Sequence, residues 1–165
     1  MKKTLSIIVC LALTLALGGI ALAETIANPW VDATSGDIAE AIGAAFGIPE
    51  GAEDVAYSLM PDEGLAEMRF TLDGMAYVAR ILPAEEFTDI SGMFIEWEAE
   101  APFSVADCEG LEQRAVVDGE TVDLCLWFDA DMGLMYSLAT SGADLDGYDI
   151  TPVAEAIYVQ AEEAE

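Results

Sequence analysis

No histidine occurs anywhere in this 165-residue chain, and no lysine follows Lys3. The first absence removes the commonest general base, and with it the serine–histidine and cysteine–histidine nucleophile systems. The second removes Schiff-base chemistry and the lysine of a phosphate-binding P-loop from everything after residue 3. Positive charge of any kind is scarce. Beyond the N-terminus only Arg69, Arg80 and Arg114 remain, against 32 aspartates and glutamates. So anionic a chain repels phosphate backbones and anionic lipid heads, which argues against nucleic acid and, after loss of the N-terminal segment, membrane surfaces as partners. Cations and basic polypeptides are what its charge attracts. Aliphatic and aromatic residues stay plentiful and periodic, so the acidity does not imply disorder.

Any enzyme built from these residues has to work through carboxylates alone. Glu96 and Glu98 flank Trp97, a neighbourhood that suits sugar cleavage, but alternation puts both glutamates on the wet side of an extended segment. The Asp-Thr-Gly and Asp-Ser-Gly signals of aspartic proteases are missing. No catalytic residue is assigned, and a carboxylate-dependent hydrolase stands third among the functional readings.

The N-terminus has the three parts of a secretory signal: Met1-Lys2-Lys3, an apolar run from Leu5 to Leu17, and Ala21-Leu22-Ala23 as a small-x-small exit. Cleavage is expected after Ala23, leaving the chain secreted or otherwise outside the cytoplasm. The alternative is an uncleaved anchor, because Thr4 to Ala23 is just long enough to span a bilayer. Residues 24–160 then read as a single domain and 161–165 as a frayed tail. Cys108 and Cys125 survive processing, and an even count in an exported domain predicts a structural disulfide. Two thiols without histidine make a poor zinc site.

Along the chain, Thr34 or Ser35 caps a helix whose face is Ile38, Ala41, Ile42, Ala45 and Phe46, closed by Gly47 and Pro49. Period-two patterning follows. Asp73-Gly74 and Asp118-Gly119 each sit between alternating apolar runs, the pattern of a two-residue hairpin turn. The first hairpin pairs Leu72 with Met75 and Glu67 with Arg80. The second sets Arg114 opposite Asp123, with Val122, Leu124, Leu126 and Phe128 as an inward row. Met93 to Ala99 reads as a further strand, and Pro102 to Cys108 as a looser stretch. Thr151 and Pro152 open a short C-terminal helix packed through Val153, Ala154, Ile157 and Tyr158. The expected fold is α+β: six or seven antiparallel strands built from hairpins, with an N-terminal and a short C-terminal helix covering one face.

Asp144, Asp146 and Asp149 gather around Gly147 in an acidic loop, and hard oxygen ligands on a flexible loop suit calcium. Aligned on an EF-hand, the loop places Gly142 at the first ligand position and Val153 where a bidentate glutamate belongs, so that motif fails. These three aspartates remain the metal candidates, and calcium is the one cofactor considered.

Trp127-Phe128-Asp129, then Gly133 to Leu138, an acidic spacer and a short helix resemble small uncharacterised exported domains of Gram-positive anaerobic bacteria. The likeness covers the last third of the chain. It implies an antiparallel sheet closed by a helix, and it brings no activity or site residues with it. The functional expectation is a non-enzymatic acidic module that binds or shields something outside the cytoplasm; a calcium-binding or calcium-stabilised domain is the alternative.

Overall fold

The computed structural model describes residues 28–143 and 145–159. The expected signal peptide, the expected tail and Asp144 lie outside the described residues.

Two turns organise the sheet. Asp73 and Gly74 take φ of +52° and +80°, and Asp118 and Gly119 take +54° and +88°. Both central residues of each turn are left-handed, which matches the twist of the strands they join. The register is the one the sequence dictates: Leu72 faces Met75 and Glu67 faces Arg80 in one hairpin, and Arg114 faces Asp123 in the other.

Around these hairpins the chain builds β1 (Val31–Ala33), β2 (Glu53–Met60), β3 (Leu65–Leu72), β4 (Met75–Pro83), β5 (Ala99–Val105), β6 (Cys108–Val117), β7 (Glu120–Asp129) and β8 (Leu134–Gly142). They form one eight-stranded sheet in the order β1-β2-β3-β4-β8-β7-β6-β5, every pairing antiparallel. It consists of two four-stranded meanders joined along a seam where β4 pairs with β8. The helices are α1 (Ser35–Ile42) and α2 (Thr151–Ile157). None of the described helices is long and apolar enough to cross a membrane.

The fold is therefore nearly all-β, not the expected α+β. Local effects shift the elements from where the sequence placed them. Helix α1 stops at Gly43, which adopts the left-handed C-cap conformation at φ +82°, so Ala45 and Phe46 are not helical. Gly47 instead allows two backbones to meet. Its N–H donates to the Ile157 carbonyl at 2.8 Å, and a Cβ there would collide with the Ala156 carbonyl oxygen. The stretch containing Pro102 is strand β5, tolerated because β5 is an edge and has an outer side that needs no donor. Conversely, of the expected strand from Met93 to Ala99, only Ala99 lies in a strand, at the start of β5. The start of α1 does follow its sequence signal, with Thr34 Oγ1 accepting from the Asp37 N–H while Asp37 Oδ2 accepts from the Thr34 N–H.

Both faces of the sheet are covered. On the helix face, Ile38 of α1 and Val153, Ala154 and Ile157 of α2 pack with Met68, Phe70, Tyr77, Ile81, Trp127, Tyr136 and Leu138. Trp127 and Tyr136 stack at 5.1 Å between ring centroids and form the centre of that core. On the opposite face, Leu124, Leu126, Met135 and Ala139 are sealed by Ile90, Met93 and Trp97. Those last three belong to residues 84–98, a strap that leaves the sheet after Pro83 and rejoins it at Ala99 on the far edge. The alternation in β7 is thus apolar on both sides: Leu124 and Leu126 face the strap, while Cys125 and Trp127 face the helices.

Candidate functional site

Three acidic side chains are buried among the described residues, Glu67, Asp123 and Asp129. Each is the centre of a polar cluster, and the arginines account for two of them.

On the strap face, Arg80 Nε and Nη2 both lie 2.8 Å from Glu67 Oε2. Glu67 is 1 % exposed. Its second oxygen lies 2.6 Å from Arg69 Nη2, a charge contact rather than an aligned hydrogen bond. Arg80 then reaches outward: Nη1 donates to the Ile90 and Ser91 carbonyls at 3.2 and 2.5 Å. Gly92, at φ +67°, turns the strap where a Cβ would lie 2.6 Å from that same Nη1. Trp30 lies under the guanidinium, 5.4 Å from ring centroid to Cζ, so the entering chain is held at the same point.

On the helix face the arrangement recurs with Arg114. Its Nη2 lies 2.9 Å from Asp123 Oδ2 and 2.6 Å from Glu112 Oε1, and Nε donates to Glu112 at 2.9 Å. It also donates to two carbonyls of the loop that follows β8, Nη1 to Leu145 at 3.4 Å and Nη2 to Tyr148 at 2.7 Å. Tyr148 in turn shares a 2.6 Å hydrogen bond with the hydroxyl of Tyr77. Burial pushes the Asp123 carboxyl up to about 6, although Arg114 pulls the other way.

Asp129 organises the third cluster. Its Oδ1 accepts from the Asp131 and Met132 N–H groups, fixing the turn into β8, and its Oδ2 accepts from the Tyr158 hydroxyl at 2.7 Å. Burial and the bonds to Cys108 and Asp129 raise the Tyr158 hydroxyl well above the ordinary tyrosine value. The Cys108 thiol lies 3.5 Å from that hydroxyl, and burial raises it as well. A shallow depression of about 330 Å³, lined by Val105, Ala106, Glu155 and Tyr158, opens beside this cluster.

The expected disulfide is not formed. Cys108 and Cys125 are free and buried. Cys125 stands opposite Glu112, four positions along β6 from Cys108. At about 3.3 Å of rise per residue that separation is ~13 Å, roughly twice what a disulfide spans. The hairpin register, set by Asp118-Gly119, overrides the inference from an even cysteine count.

The acidic loop gives a mixed result. Asp149 Oδ1 accepts from the Thr151 N–H at 3.0 Å, and the bonds from Thr151 hold its carboxyl below the usual range. Thr151 is consequently the first residue of α2 rather than its cap, and Pro152 occupies the opening turn. Asp146 is exposed, on the rim of a depression of about 300 Å³ that Glu98, Arg114 and Thr121 also line. Among the described residues no three acidic or cysteine side chains converge as a metal set. Glu96 and Glu98 are exposed on the outer side of the strap, apart from the buried carboxylates.

The sequence indicated the two cross-strand ion pairs through register alone. It did not indicate that each arginine would also tie down a distant loop by its carbonyls, because backbone acceptors leave no residue-type signal. Comparison of the chain with protein-family models, curated proteins and solved structures finds no match.

Proposed function

We propose that this chain is an exported, non-enzymatic binding module whose partners are cationic polypeptides. One observation carries the reading. Every arginine among the described residues is tied to a buried carboxylate. Arg80 and Arg114 are drawn into the clamps with side chains 19 % and 30 % exposed, and the more exposed Arg69 sits on Glu67. The described surface therefore offers many carboxylates and no arginine free of an acidic partner, a field of one sign that attracts positive partners from a distance. The buried carboxylates have structural roles of their own, in the two clamps and the Asp129 turn, which supports binding over catalysis. The signal-like N-terminus supports a site of action outside the cytoplasm.

The test is titration of the full chain with polylysine over a range of sodium chloride concentrations. Binding that weakens steeply as salt rises is the expected result. Absence of binding at low salt overturns the reading. Calcium at matched ionic strength separates a specific cation response from screening: a saturating rise in melting temperature with calcium alone would favour the metal-binding alternative.

A further inference from the structure

Resting on that reading, we infer that the strap, with Phe94 at its tip, is the docking element, and that its partner is a basic polypeptide surface carrying an apolar pocket.

Phe94 is 99 % exposed, while Met93 and Trp97 on either side of it pack inward against the sheet. A phenyl ring left in water forgoes the gain from burying its apolar surface. A flexible loop could recover part of that by folding the ring back. The backbone of this one is tied down. The Ala84 N–H donates to the Gly133 carbonyl and the Glu98 N–H to the Arg114 carbonyl, so both ends are tied to the sheet. Between them Arg80 holds the Ile90 and Ser91 carbonyls, Asp89 accepts from the Ser91 N–H, and Ser91 Oγ accepts from the Met93 N–H. The backbone on either side of the ring is thus ordered before any partner arrives, which lowers the ordering cost of binding. Phe87, 45 % exposed, belongs to the same strap.

The charge around the ring selects the occupant. Glu85, Glu86, Asp89, Glu96 and Glu98 are all exposed on the strap, which contains no lysine or arginine. A second copy would bring the same acids face to face, and an anionic lipid surface would be repelled. A lysine- or arginine-bearing surface is complementary: its cations meet the carboxylates, its aliphatic stems cover the ring, and a guanidinium can lie on the phenyl face.

The experiment uses the full chain, its Phe94→Ala variant, and Ile48→Ala as a control at another exposed apolar position. Two probes are titrated, polylysine and a peptide of alternating lysine and leucine. Phe94→Ala should weaken the lysine–leucine peptide about tenfold, as loss of an interfacial anchor does, and change polylysine binding less than about twofold. Ile48→Ala should alter neither. If Phe94→Ala weakens the lysine–leucine peptide no more than Ile48→Ala does, the docking assignment is wrong while the charge reading stands. If the unaltered chain ignores polylysine, the charge reading itself fails. Sedimentation showing self-association that Phe94→Ala abolishes would overturn the basic partner in favour of a second copy.

Discussion

At the clamp on the strap face one buried acid, Glu67, is shared by two arginines; on the helix face two acids, Glu112 and Asp123, share Arg114 alone. Both occupy a two-residue hairpin, both use a cross-strand pair, and both extend to two carbonyls of a chain segment laid over the sheet. The proportion of charges is what differs. A carboxylate with two cations has its negative charge fully answered. The second clamp keeps more acid than base, and Asp123, fully buried, takes up a proton more readily than an ordinary aspartate. The second clamp is therefore sensitive to pH.

The largest expected effect comes from breaking the balanced clamp. Arg80→Met removes the contacts that answer Glu67 from within the fold and frees the strap carbonyls, and loss of one partner of a buried pair costs about 3–5 kcal/mol. Urea unfolding would measure it, and a loss under about 1 kcal/mol would show that exposed Arg69 alone suffices.

Asp123→Asn sharpens the contrast. The folded carboxyl titrates near 6 against an ordinary 3.8, so its contribution to stability is fully present below about 4 and is lost as pH rises through 6. The unaltered chain should therefore gain stability between pH 7 and pH 5. The asparagine variant, which cannot titrate at this position, should lose most of that gain. Parallel stability–pH curves for the two proteins would contradict the assignment.

Gly92→Ala probes the strap clamp more gently. A left-handed backbone with a side chain costs about 1–2 kcal/mol, and the new methyl also crowds Arg80. The expected readout is a lowered melting temperature with accelerated amide exchange at Ser91 and Met93. The smallest effect is none at all: dithiothreitol should leave the melting temperature unchanged, and denatured, unreduced protein should titrate thiols for both Cys108 and Cys125.

How much of this could be read in advance depended on what kind of signal each element leaves. The two Asp-Gly turns dictated both hairpin registers, and with them the Glu67–Arg80 and Arg114–Asp123 pairs. Periodicity was less informative for residues 93–98, because alternation reports only that side chains point to opposite sides. It does not report whether the backbone finds a neighbour. Pro102 pointed away from a strand only because an edge position could not be foreseen. Gly43 and Gly47 are equally good helix stops by residue type; packing against α2 decided that the second serves close approach instead. The strap was the least legible part, since nothing in its residues announces that Arg80 holds the Ile90 and Ser91 carbonyls.

The seam between the meanders also has a consequence for how the chain reaches its native state. Within each meander, neighbouring strands from β2 to β4 and from β5 to β8 are joined by short connections and can pair early. At the seam Val78 must find Ala139, with the whole of the strap, β5, β6 and β7 lying between them in the chain. Closing so large a loop is entropically slow and is rewarded only when the ladder forms. The two halves are therefore expected to zip independently and to meet last along β4 and β8. That seam would be the step on which folding waits, and while it is open the central strands would expose unpaired edges to other chains.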